Sequence, residues 1–220
     1  MVQVGFLLCM VLGVTGKLAP FLLGYTDDPV RDEGNKISFR TGKTAIILHG
    51  LTGASILASF FIDIYSPRIG AGLRALIVTL HLFSFARIAR PLKKKTTLMF
   101  FFHVSTWMIP LGLWTGFIFP QFRIATLHII FLGGFSLMIF SFGMLIVLSH
   151  SRKAALLNGR LISMKIIGGF VLTAMVFRFL AEVISSKYMA LIHSASGLWI
   201  VAALIWGGVT ISKIIEGGNQ

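Results

Sequence analysis

Residues 122–153 read FRIATLHIIFLGGFSLMIFSFGMLIVLSHSRK, with no Lys, Arg, Asp or Glu between Arg123 and Arg152. An apolar stretch of more than about 20 residues is long enough to cross a bilayer with some tilt. It carries His128 near one end, His150 at the other, the Gly133-Gly134 pair and Gly143. An imidazole in hydrocarbon is costly, so it turns inward to a partner, a cofactor or a water-filled cavity. The glycines let a neighbouring helix or a flat ligand approach the backbone closely. This stretch therefore reads as the helix around which the others pack.

Composition agrees with a membrane setting. Of the 220 residues 56% are hydrophobic and only 12% charged, far from the mix of a soluble domain. The net charge of +13 arises from 20 Lys and Arg against 7 Asp and Glu. In a soluble protein such a balance points to nucleic acid. Here the basic residues sit between apolar runs, where they meet anionic head groups and set orientation, so the expected partner is membrane lipid and not nucleic acid. The single cysteine, Cys9, cannot form an intrachain disulfide and supplies no cysteine-based metal motif. It reads as a small packing residue.

The expected fold is all-α: one polytopic transmembrane bundle over residues 1–220, of about seven helices. Its spans lie near 4–23, 44–62, 70–88, 96–119, 123–148, 161–184 and 188–211. The first run lacks the basic start and the cleavage site of a secretory signal, so it reads as a retained helix. Lys17 would snorkel near its end and Pro20 kink or stop its last turn; the alternative is that both line a pocket. Residues 24–43 interleave Asp27, Asp28, Asp32 and Glu33 with Arg31 and Lys36. That reads as a solvated interfacial loop opening on an Asp-Asp-Pro turn rather than as a carboxylate metal site. Arg87, Arg90, Lys93, Lys94 and Lys95 form the densest basic cluster, and Arg152, Lys153 and Arg160 another. The positive-inside rule puts both on the cytoplasmic side. Seven spans then place the amino terminus outside and the carboxy terminus inside, with the 24–43 loop also cytoplasmic.

This topology sorts the histidines by depth. At about 1.5 Å rise per residue, His49, His81 and His103 each fall roughly 8 to 12 Å from the cytoplasmic ends of their helices. By the same estimate His128 and His193 fall roughly 8 to 10 Å from the outer ends of theirs, while His150 belongs to the inner interface. Taken singly, each is more often a satisfied buried polar residue than a ligand. Neutral imidazole is nonetheless the usual protein ligand for haem iron, copper and zinc, so two layers of histidine make these five the candidate metal or haem ligands. His150 is a candidate interface residue or ligand. Bis-histidine haem needs two imidazoles on opposite helices across an apolar slot, whereas three at one level would hold copper through nitrogen alone.

No H-E-x-x-H, C-x-x-C-H, phosphate-binding glycine loop or G-x-S-x-G is present. Any haem is therefore expected to be a non-covalent haem b, and no catalytic residue or turnover is assigned. Arg178, deep in the sixth span, wants a carboxylate, and Glu182 lies one helical turn on. Either the two pair, or Arg178 holds a haem propionate, an anionic substrate or a quinone oxygen.

The stretches FFHVSTWMIPLGLW (101–114), ATLHIIFLGGFSLMIFSFGMLIVLSHSRK (125–153), MVFRFLAEV (175–183) and SGLWIVAALIW (196–206) resemble, in order and spacing, the later spans of the NnrS family. The resemblance implies a polytopic protein of the bacterial inner membrane that contains haem and copper and is associated with the response to nitric oxide and nitrosative stress. It maps the histidine opening the family's central helix onto His128, the exit of that helix onto Ser149-His150-Ser151-Arg152, and the histidine of the preceding span onto His103. The mid-membrane arginine and following tryptophan map onto Arg178 and Trp199. GKLAPFLLGY (16–25) looks like the helix end that precedes those spans. Lys153 departs from the glycine of the exit motif. The histidine- and glutamate-bearing amino-terminal half of longer members has no counterpart here.

The expected activity is that of a haem and copper protein whose imidazoles hold a metal with an exchangeable position for nitric oxide, or whose redox change passes an electron. Two other readings stay open: a dihaem, cytochrome-b-like carrier between a quinone and an outer acceptor, and a metal-free transporter or membrane scaffold. A second copy or a partner membrane subunit is an expected associate.

Overall fold

The computed structural model describes the backbone of residues 2–22, 30–31, 37–38, 43–92, 95–150 and 161–218, and the side chains of 4–16, 19–20, 46–92, 95–149 and 161–215. Two compact units, Met1–Lys94 and Lys95–Gln220, make up the chain. Among the described residues six helices are long and apolar enough to cross a membrane, and α1 adds a shorter apolar segment over Val4–Gly16. An all-α membrane bundle is thus what these residues build.

The first unit contains α1 (Val2–Leu22), α2 (Lys43–Tyr65) and α3 (Pro67–His81), with a two-residue strand pair, β1 (Val30–Arg31) and β2 (Ile37–Ser38), between α1 and α2. Ser66 alone separates α2 from α3. Its hydroxyl accepts from the Ile69 N–H, and Pro67 takes the first helical position, where its missing N–H costs nothing. The end of α3 widens into a π turn, Leu82–Ala86, closed by Arg87 in the left-handed region at φ 54°. Leu8, Leu12, Ile56, Val78 and Leu82 form the buried apolar centre.

A second buried element holds the α2–α3 hairpin. Arg74 donates to the Asp63 carboxylate at 3.0 Å and to the Ser59 carbonyl at 3.2 Å, with its guanidinium 4.3 Å over the Phe60 ring. Ser59 stands seven residues before the Ser66 turn and Arg74 eight after it, so an antiparallel hairpin sets them opposite one another. Gly70 makes the room: a Cβ there would collide with the Asp63 carboxylate.

The second unit contains α4 (Thr97–Ile118), then a continuous span made of a short 3-10 turn (Pro120–Phe122), α5 (Arg123–His128), a π-helical stretch (Ile129–Ser136) and α6 (Leu137–His150), followed by α7 (Ile162–Val183) and α8 (Tyr188–Gly218). The expectation that this span is packed against by its neighbours is met within the unit. Gly112 and Gly116, four apart on α4, let Thr126 and Ile130 approach: a Cβ at Gly112 would lie 3.0 Å from the Thr126 carbonyl, and one at Gly116 3.0 Å from its hydroxyl. Gly134 receives Ile109 of α4, and Gly133 receives Met175 of α7. Gly143 receives the Trp206 ring of α8, whose indole N–H donates to the Phe140 carbonyl at 3.0 Å. The apolar core gathers Leu98, Phe101, Leu137, Met144, Met164 and Val171. Large apolar side chains such as Ile46, Phe61, Leu204 and Ile211 stay exposed on α2 and α8, as lipid-facing residues do.

Candidate metal centre

Of the two expected histidine layers, one close pair is built. His49, one and a half turns into α2, and His81, the last residue of α3, bring their rings to 5.0 Å between centroids at a tilt of 60°. Phe85, on the π turn, packs on both, 4.3 Å from His49 and 4.8 Å from His81. The pair closes against α1 at Gly16. A Cβ there would lie 2.7 Å from His49 Cε1, 3.4 Å from its Nδ1 and 3.1 Å from His81 Nε2. His49 Nδ1 and His81 Nε2 therefore converge on a point that the chain leaves without a side chain. His49 Nδ1 is buried and has no hydrogen-bond partner.

The protons of His81 follow from its neighbours. Thr52 commits its hydroxyl proton to the Leu48 carbonyl at 2.8 Å, so toward His81 Nδ1, 3.4 Å away, it offers an oxygen lone pair. On the other side Nε2 faces the Leu12 carbonyl at 3.3 Å, also an acceptor. A neutral ring has one proton for two acceptors. With the proton on Nδ1 toward Thr52, Nε2 presents its lone pair at the Gly16 cradle beside His49 Nδ1. A hydrogen-bonded outer nitrogen and a bare inner one is the arrangement of a metal-ligating histidine.

These residues fit a compact ion with nitrogen ligands. They do not fit a haem plane between the two rings. Axial imidazoles on opposite faces of an iron stand about 6 Å apart at their centroids when each nitrogen binds at about 2 Å, and here Phe85 bridges both rings as well. Among the described residues no three His, Cys, Asp or Glu side chains gather at one place, so the pair supplies two ligands.

The candidates of the second unit are arranged differently. His103 accepts the Trp107 indole N–H at its Nε2, 3.1 Å away. Indole is a donor only, so the ring's proton lies on Nδ1, which is buried without a partner. The position is an unfilled donor and not a free lone pair. His128 has both nitrogens engaged: Nδ1 donates to the Ile124 carbonyl at 2.7 Å, and Nε2 accepts from Arg178 Nε at 3.0 Å. Arg178 thus turns to His128, and among the described residues no ion pair joins it to Glu182. Its Nη1 is buried with no partner. His193 is exposed on α8, and among the described residues no hydrogen bond or ring contact joins it to His128. The side chains of His150 and Lys17 lie outside the described residues, as do Asp27, Asp28, Asp32, Glu33 and the basic residues 152–160.

The Asp63–Arg74 pair escaped the sequence reading, which ended the second span at Ile62. Its signal was present, as one acid and one base flanking a Ser-Pro turn between two apolar runs. Gly16 had a signal too: a small residue on the helix that faces two histidine-bearing spans.

Comparison with known proteins adds one match. The family model described as "NnrS protein" matches residues 1–216, a longer reach than the later spans quoted above. No curated protein and no solved structure matches the chain.

Proposed function

Because this chain belongs to the NnrS family, we propose that it is an integral membrane protein that holds copper between His49 and His81 and acts in the response to nitric oxide and nitrosative stress. The observation that carries the copper reading is the convergence of His49 Nδ1, buried and unpartnered, with His81 Nε2 on the space left by Gly16. Imidazole nitrogen suits copper. Copper bound there would supply a one-electron couple and a position open to a diatomic molecule.

The remaining residues prepare the place. With the His81 proton on Nδ1 toward Thr52, the inner lone pair is available, the Leu12 carbonyl being the competing acceptor for that proton. Phe85 fixes the faces of both rings and dries the site. Gly16 leaves the backbone of α1 as the floor. The haem that the family resemblance implies has no slot between these two rings.

The test is copper and haem content of detergent-purified protein, by elemental analysis and a pyridine-haemochrome spectrum, from a host able to supply both. Near-stoichiometric copper, lost in His49→Ala and in His81→Ala and optically perturbed by nitric oxide, is the expected result. Protein without copper would remove this reading in favour of the metal-free transporter or scaffold.

A further inference from the structure

We propose that Arg178 caps His128 and withholds it from metal, so that the histidine opening the central span orients a guanidinium and is not a ligand. A ligating imidazole needs one nitrogen with a bare lone pair. The Ile124 carbonyl can only accept, which puts the proton of His128 on Nδ1. The guanidinium can only donate, so it consumes the lone pair left on Nε2. Nothing remains with which His128 can bind an ion.

The cap is built into the packing of the second unit. Met175, one turn before Arg178 on α7, lies against Gly133: a Cβ at that glycine would meet its sulfur at 2.5 Å. This contact sets the height of α7 on the π-helical stretch, and His128 is the residue immediately before that stretch. Removing Arg178 from His128 would strand a second donor on a cation whose Nη1 already lacks a partner in a buried position. Stranded charged donors are among the most costly groups to bury. Glu182 lies one turn further on, yet the guanidinium is hydrogen-bonded to the histidine. The inference does not depend on what the His49–His81 pair binds.

Two measurements decide it, both on the full chain. The first reads the imidazole 15N shifts of metal-free, 15N-histidine-labelled protein, with the His128 signals assigned by their loss in His128→Gln. The neutral form protonated on Nδ1 is expected; a proton on Nε2 would overturn the proposal.

The second counts copper bound from added Cu(II). His128→Gln, whose amide oxygen can still accept from Arg178, should bind the wild-type amount, and Arg178→Met, which has no donor, should gain a site that is lost again in Arg178→Met/His128→Gln. Loss of copper in His128→Gln, or a folded Arg178→Met that gains none, counts against the cap. If Arg178→Met does not fold, the 15N shifts and His128→Gln still decide. Wild-type protein that binds no copper would end the His49–His81 reading while leaving the tautomer result standing.

Discussion

At Gly16 the absence of one methyl group decides whether two imidazoles can share a space. In Gly16→Ala the new Cβ would sit 2.7 Å from His49 Cε1 and 3.1 Å from His81 Nε2, so the rings must separate. We expect copper affinity to fall by about tenfold or more, read by competition with a chelator. Gly13→Ala, which meets nothing within 4 Å, should bind as wild type and be more stable by about 0.5–1 kcal/mol, as for a helical glycine made alanine. Equal affinities in the two variants would remove Gly16 from the site. Asp63 is the other single residue with a large expected effect. With Asp63→Ala the Arg74 guanidinium keeps its burial and loses its counter-charge, and breaking a buried pair in this way costs about 3–5 kcal/mol. Denaturation in detergent should show that loss, and Asp63→Ala/Arg74→Met should recover most of it. A single variant as stable as wild type would mean that water already serves the pair.

The helices themselves were legible from runs of apolar residues, and the depth of His49 and His81 followed from counting along them. What counting does not supply is rotation about the helix axis. His103 falls at the same calculated depth as His49 and His81, yet it belongs to the second unit and takes Trp107 as its partner. His193 matches His128 in depth and faces outward. Nor does an apolar run reveal a lone pair already in use, which is why His128 reads as a ligand in sequence and as an acceptor in space. The same limit applies to glycine pairs. Gly168 and Gly169 are indistinguishable as letters, but a Cβ at Gly168 would strike the Phe101 ring, whereas one at Gly169 meets nothing within 4 Å. Gly168→Ala should therefore loosen α7 from α4 by about 1–3 kcal/mol, and Gly169→Ala should not. Thermal melts of the two variants side by side test this, and equal melting points would show that the ring simply moves aside.

For the whole molecule the charge pattern makes a prediction that geometry does not replace. The positive-inside rule predicts cytoplasmic basic loops, and on that topology, in a Cys9→Ala background, a membrane-impermeant maleimide added to intact cells should label Tyr65→Cys and Ser186→Cys but not Asn35→Cys or Asn158→Cys. The reverse pattern would invert the topology. The span Pro120–Ser149 links the two ends of the second unit, and its π-helical middle, Ile129–Ser136, has a consequence for how that link is tuned. A π turn holds more residues than an α turn. Each π step therefore turns through a smaller angle than an α step, and over the eight residues of this stretch the shortfall amounts to roughly one α step of about 100°. The wider winding thus absorbs one surplus residue, so that Phe140 and Gly143 meet Trp206 while His128 meets Arg178. Deleting one residue with a return to α winding would leave both contacts on nearly the same faces, whereas winding all eight residues as α would swing Gly143 away from Trp206 by about 100°. The slack in the wide turn lets the chain carry an extra residue without re-aiming either half of the helix.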